Sequence, residues 1–170
     1  MLRVVLSGVE STGKTVLAAR LADRFGGRWV AEYGRTYTEA LDRPLTLADH
    51  RAIAEGHARA ANAAAGANPP LLVEDTDIVM TSAWARMLFG ARDPALSAIV
   101  SKADLHLLLL PDVPFVPDSV RMFGAAADRA RFHALIEEEF AERGLAPVAI
   151  GGDFAAREAA AAAIIVGRLA

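Results

Sequence analysis

Gly8-Val9-Glu10-Ser11-Thr12-Gly13-Lys14-Thr15 follows a short apolar run, Leu2 to Leu6, and leads into Val16-Leu17-Ala18-Ala19-Arg20-Leu21, where apolar residues recur at helical spacing. A Gly-x-x-x-x-Gly-Lys-Thr loop between a strand and a helix is a P-loop in its required setting. Charge explains the pattern: backbone N–H groups at a helix N-terminus hold phosphate oxygens only if no bulky side chain stands between. Gly8 and Gly13 permit the turn, Lys14 reaches β- and γ-phosphate oxygens as a mobile point charge, and the Thr15 hydroxyl is placed to ligate Mg²⁺. The expected nucleotide contacts are therefore Gly8, Glu10, Ser11, Thr12, Gly13, Lys14, Thr15 and Val16.

Working outward, the helix after the loop runs from Lys14 to about Phe25 and stops at Gly26-Gly27. Arg28 to Ala31 reads as a second strand, feeding Glu32-Tyr33-Gly34-Arg35-Thr36-Tyr37. Thr46 is positioned to cap a helix from about Leu47 to Ala65, closed by Gly66 and Asn68-Pro69-Pro70. Leu71 to Val73 is a third strand, ending at Glu74-Asp75-Thr76-Asp77. Helical periodicity returns over Ile78 to Phe89, breaks at Gly90 and resumes from Pro94 to about Lys102. Leu105 to Leu110 is too continuously apolar for a half-exposed strand, which places it centrally in a sheet covered on both faces. A Pro-broken, charged stretch, 111–131, then enters a helix from about Asp128 to Arg143, followed by a strand at Pro147 to Ile150 and a helix from about Phe154 to Leu169. Strands alternating with helices imply an α/β fold, a P-loop three-layer sandwich with a five-stranded parallel sheet and helices on both faces.

The bulk properties bound the rest. At 170 residues the chain fits one domain, 1–170, with 111–131 as a lid-like segment. A net charge of −3 argues against a nucleic-acid-binding surface, and the absence of cysteine removes disulfides and thiolate metal sites. The longest apolar run, Leu105 to Leu110, falls far short of the roughly 20 residues of a membrane span. Met1 runs straight into the first strand, so no signal peptide is expected and a cytoplasmic protein is. Self-association is left open.

In a parallel sheet, ligands collect at the carboxyl ends of the strands. That rule assembles the P-loop, Glu32 and Arg35 after the second strand, Asp75 and Asp77 after the third, the Arg-rich segment after the fourth and Gly151-Gly152-Asp153 after the fifth. Leu71-Leu72-Val73 before Asp75 resembles a Walker B strand, whose carboxylate orders the Mg²⁺ shell, while Asp75 or Asp77 equally suits a helix N-cap. Glu32 is the best placed carboxylate to accept a hydroxyl proton, with a surface ion pair as its plainer role. Arg121, Arg129 and Arg131 are candidates to close over phosphates, a solvated helix face being the alternative. The four histidines share no metal-ligand spacing and read as structural or exposed. Ser101-Lys102-Ala103-Asp104 imitates a guanine-reading motif but precedes a strand where such a loop should follow one, which disfavours a GTPase switch.

Together with the P-loop, the elements Glu32-Tyr33-Gly34-Arg35-x-Tyr37, Gly56-His57-Ala58, Asp75-Thr76-Asp77, Asp118-x-x-Arg121 and Asp128-Arg129 come in the order and spacing of the ribosylnicotinamide kinase domain of NadR-type proteins. The chain resembles that family over nearly its whole length. The resemblance implies ATP- and Mg²⁺-dependent phosphorylation of the 5′-hydroxyl of nicotinamide riboside, a small-molecule nucleoside partner. By it, Lys14 and Thr15 hold ATP and Mg²⁺, Glu32 or one of Asp75 and Asp77 serves as base with the other on ribose or metal, and Arg121 and Arg129 belong to the lid. Catalytic roles accordingly fall to Lys14, Glu32, Asp75 and Arg121, substrate contacts to Glu32, Tyr33, Arg35, Asp75 and Asp77, metal contacts to Thr15 and Asp75, and a nucleotide contact to Arg129. Two departures stand out. The family's adenylyltransferase domain is not in this sequence, so NAD synthesis itself is not expected, and the aromatic positions that would stack on a pyridinium are Ala31 and Ala60, leaving Trp29, Tyr33 or Trp84 as substitutes. The rival readings are a kinase of another hydroxyl-bearing metabolite and a nucleotide-binding regulatory module with a protein or lipid partner.

Overall fold

The computed structural model describes residues 1–117 and 122–169. Its elements are β1 (Leu2–Ser7), α1 (Lys14–Arg24), β2 (Arg28–Val30), α2 (Tyr33–Glu39), α3 (Leu47–Ala65), β3 (Leu71–Asp75), α4 (Ile78–Phe89), α5 (Pro94–Ser97), β4 (Leu105–Leu109), α6 (Ala126–Glu142), β5 (Val148–Ile150) and α7 (Phe154–Leu169). The strands form one parallel sheet in the order β2-β3-β1-β4-β5. This is the P-loop α/β sandwich expected from the sequence.

Strand alternation decides which helices cover which face. Val4, Leu6, Leu71, Val73, Leu105, Leu107 and Leu109 point to one side and pack with Leu17 and Leu21 of α1 and Ala161 and Ile165 of α7. On the other side Leu108 meets Val79, Ala83, Phe132, Ile136 and Phe140 of α4 and α6, while Leu72 meets Ala61 of α3. Every residue of β4 is buried, as its unbroken apolarity requires.

Two elements differ from expectation. The stretch after Glu32 is a helix, α2, which buries no residue fully and so carries no apolar stripe for a sequence reading to find. The helix from Pro94 ends at Ser97 rather than near Lys102. Val100 is 80% exposed, and the Ser101 hydroxyl donates to Asp77, a contact that holds the chain there without a further helical turn. The local signals at other boundaries work as written: Thr46 and Asp49 form a capping box on α3, and Gly90 ends α4 at φ 77°.

Candidate active site

The β1–α1 turn brings its residues to the carboxyl end of the central strand. Gly8 takes φ 145°, and a Cβ there would lie 2.7 Å from the Leu109 carbonyl oxygen, so only glycine fits against β4. Lys14, nine-tenths buried, donates to the carbonyls of Gly8 (2.9 Å) and Val9 (3.1 Å). Its ammonium thus rests inside the loop that is to hold phosphate. The Thr12 hydroxyl donates to the Val9 carbonyl at 2.8 Å, which stiffens the turn.

Thr15 and Asp75 meet. The Thr15 hydroxyl donates to Asp75 Oδ2 at 2.5 Å, and Asp75 Oδ1 is buried with no partner among the described residues. A buried, half-satisfied carboxylate beside a P-loop hydroxyl suits a hard divalent cation that keeps several waters and takes oxygen ligands. No group of three or more His, Asp or Glu able to hold a metal occurs among the described residues, so a cation here would rely on Thr15, Asp75 and the nucleotide's own oxygens. Between the two aspartates Thr76 has φ 74°, a strained value for a β-branched residue, at the wall of the site.

One cavity, of about 180 Å³, joins these parts. The P-loop residues Gly8, Glu10, Ser11, Gly13, Lys14, Thr15 and Val16 form one side; Glu32, Gly34 and Arg35 form another; His50, Ile53 and His57 of α3 close a third; and Met80, Thr81, Trp84, Met122 and Phe132 line the apolar end. Glu32 keeps part of its side chain open to this space, yet protein surrounds it closely enough to strip much of its hydration. Burial raises its carboxyl above the ordinary range; Lys14 pulls it down, Asp75 pushes it up, and the net shift is upward. A carboxyl raised by burial and open to a cavity beside a P-loop is chemically suited to accept a proton.

Other expected residues sit elsewhere. Tyr33 does not line the cavity; its ring packs on Gly56 of α3. Asp77 caps α4 through the Val79 N–H (2.9 Å) and accepts from Ser101 (2.6 Å), so both its oxygens are engaged. Arg35 pairs with Glu39 at 3.1 Å while lining the cavity. Arg129, 6% exposed, donates to the carbonyls of Glu10 (2.6 Å) and Val113 (3.3 Å), and Arg131 is exposed on α6. Arg121 and Asp118 lie outside the described residues. Ala60 packs beside Val30 and Leu72, and Ala31 is exposed, so neither stands at the cavity; Trp84 does, against Phe132 and Phe123. Asp104 accepts from the Arg3 N–H (2.8 Å) at the opposite end of the sheet, which removes Ser101-Lys102-Ala103-Asp104 from any role with a base at this site.

Three features went unread in the sequence. Segment 113–117 and the residues just before α6 are tied to the P-loop: Glu10 accepts the N–H groups of Met122 and Phe123 (3.0 Å each), and Ser11 exchanges hydrogen bonds with the Val116 backbone (2.9 and 3.0 Å). Arg157 of α7, 1% exposed, donates to the carbonyls of Gly152 (2.7 Å), Leu110 (2.9 Å) and Thr12 (3.0 Å) and pairs with Asp112. One guanidinium therefore fastens the P-loop to the ends of β4 and β5. The third is the wall of α3: His50, Ile53 and His57 recur at i, i+3 and i+7, the spacing of one helix face.

The AAA domain family model matches residues 3–157. The trifunctional NAD biosynthesis/regulator protein NadR of Escherichia coli K12 is 32% identical over 148 residues, 84% of this chain and 36% of that protein. The chain thus spans about a third of the length of the curated relatives it matches. A crystal structure of NadR in complex with NR superposes with a TM-score of 0.76 at 23% identity, covering 98% of this chain and 49% of the other. A second, of NadR with NAD and AMP-PNP, gives 0.66 at 25% identity over 95% and 48%. The resemblance drawn from the sequence motifs is borne out. With its P-loop, its parallel sheet and a family match over nearly its full length, this chain belongs to the AAA domain family of P-loop proteins.

Proposed function

We propose that the chain is an ATP-dependent kinase that transfers a phosphoryl group to the 5′-hydroxyl of nicotinamide riboside. The observation that carries the reading is the shared cavity: a P-loop and a carboxyl tuned upward, Glu32, open onto the same space, with room beyond them bounded by α3 and Trp84. A module that only hydrolyses nucleotide has no need of that second compartment. The curated relative named for NAD biosynthesis, and the NadR structures solved with NR and with NAD and AMP-PNP, support the choice of acceptor and donor.

In this reading Lys14 leaves the Gly8 and Val9 carbonyls for the β- and γ-phosphate oxygens, and the P-loop amides hold the triphosphate. Glu32 takes or orients the acceptor hydroxyl's proton as the oxygen attacks the γ-phosphorus and ADP leaves. Thr15 and Asp75 would hold Mg²⁺, which would supply positive charge to offset that of the phosphate oxygens. Arg35 lies where it can meet the substrate, and Arg129 ties Val113 to the Glu10 carbonyl; we read 111–131 as the lid-like part of a single unit, 1–170. Trp84 provides the aromatic wall for a flat cationic ring. We read the working protein as cytoplasmic; no helix among the described residues is long and apolar enough to cross a membrane.

The test is ADP release from Mg·ATP with nicotinamide riboside and a panel of other nucleosides, with mass detection of product. Stimulation by nicotinamide riboside with one phosphate added supports the reading. Preference for another nucleoside changes the substrate but keeps the kinase; slow hydrolysis indifferent to every nucleoside overturns it.

A further inference from the structure

The wall of α3 contains a hydrogen-bonding group that no described residue uses. His57, 5% exposed, lines the cavity; its Nε2 lies 3.1 Å from Glu74 Oε2, and its Nδ1 is buried with no partner among the described residues. Glu74 on β3 settles which nitrogen carries the proton. Burial raises the Glu74 carboxyl, but hydrogen bonds from His57 and Arg3 outweigh that and hold it below its ordinary value. Its other oxygen pairs with Arg3. The carboxylate is therefore an acceptor only, and His57 Nε2–H must donate to it. In the neutral ring Nδ1 then offers a lone pair. Buried polar atoms seldom go unpaired in a folded protein, and the ring that carries this one belongs to a wall shared with Glu32, Ile53 and Trp84.

We propose that His57 Nδ1 is a specificity-determining group that accepts a hydrogen bond from an O–H or N–H on the phosphoryl acceptor, its ring held in the accepting tautomer by Glu74 and Arg3. The inference rests on the kinase reading and deepens it: the acceptor must carry a donor at this wall, such as a ribose hydroxyl or a carboxamide N–H. A ligand lacking that donor leaves Nδ1 dry and unpaired, which is how sites built around a buried polar group reject near-isosteres.

The experiment compares wild type with His57→Gln, whose amide can still donate to Glu74 but supplies no lone pair at the Nδ1 position. The probes are nicotinamide riboside and three analogues, the 2′-deoxy, the 3′-deoxy and the form with carboxylate in place of carboxamide. In wild type one analogue loses roughly 3- to 10-fold in kcat/KM relative to the parent. In His57→Gln the parent falls by a similar factor, that one analogue falls no further, and KM for ATP is unchanged. A uniform loss for all four compounds, or no loss, overturns the role of His57 while leaving the kinase reading standing. The nitrogen NMR resonance of Nδ1 in labelled wild-type protein gives a check that needs no variant to fold: it moves on addition of the parent and stays put with the penalised analogue, and an unmoved resonance with both overturns the proposal. If a different nucleoside proves to be the acceptor, the same comparison runs on it and its deoxy analogues; if no nucleoside is phosphorylated, both readings fall together.

Discussion

A Cβ placed on Gly56 would lie 2.2 Å from the ring of Tyr33, so α2 rests its aromatic anchor directly on the bare backbone of α3. That contact sets where Glu32, Gly34 and Arg35 stand at the cavity, because they neighbour Tyr33 in the chain. Gly56→Ala must push the ring away. We expect a loss of about 1–3 kcal/mol in stability by chemical denaturation. Activity should fall further, roughly 10- to 100-fold, since a catalytic carboxyl moved by about an ångström loses its alignment.

Lys14→Ala removes the cation from the loop and should abolish turnover with every acceptor. The loop carbonyls of Gly8 and Val9 lose a donor, and Glu32 loses the nearby cation that lowers its carboxyl. Near-native circular dichroism with no detectable ADP formation is the expected pair of results.

Glu32→Gln should spare nucleotide binding and slow transfer roughly 10²- to 10⁴-fold. With Glu32 as the proposed base, the acid limb of kcat/KM should lie above the ordinary glutamate value of 4.5, because burial raises its carboxyl. The sign for stability is opposite to that for activity. A raised carboxyl costs the fold nothing below 4.5 and becomes a growing burden as pH rises through the folded value. Glu32→Gln should therefore melt higher than wild type at pH 7 and at the same temperature near pH 4, which scanning calorimetry at the two pH values will decide.

Glu10→Ala cuts the two hydrogen bonds that tie Met122 and Phe123 to the P-loop. Both N–H groups should exchange with deuterium roughly 10-fold faster or more, while N–H groups in β1 and β4 are unaffected. Unchanged protection at Met122 and Phe123 would remove Glu10 as the tether.

Arg157→Lys keeps a positive charge but cannot reach three carbonyls and a carboxylate at once. A stability loss of about 2–4 kcal/mol is expected, from buried carbonyls left unpaired. KM for ATP should rise with it, because the Thr12 carbonyl is the point at which α7 grips the loop.

Short-range chemistry was legible and long-range juxtaposition was not. The P-loop, the Thr46 cap and the Gly90 stop each announce themselves within a few residues, and the continuous apolarity of 105–109 gave β4 its place inside the sheet. The helix α2 buries no residue fully, and it meets α3 through Tyr33 on Gly56 and the Tyr37 hydroxyl on Asp49, contacts that leave no apolar stripe to read. His57 gives no metal spacing and so reads as inert; only the fold sets it between Glu74 and the cavity. Asp75 and Asp77 look equivalent in sequence, and the turn at Thr76 separates them into a partner of Thr15 and a helix cap. Arg157 had no signal at all, since an arginine on an alanine-rich helix looks like solvent contact until the carbonyls it gathers, from Thr12 to Gly152, are seen together.

The strand order puts β1 between β3 and β4, both made later. On the ribosome the P-loop emerges before either β3 or β4, so its strand at first has neither neighbour. Gly8 has no β4 backbone to lie against until residue 109 has left the exit tunnel, and the guanidinium that fastens Thr12 arrives with residue 157. The loop that is read first is thus the last part of the sheet to be locked, because its backbone is gripped by residues about 100 and 145 positions further along the chain.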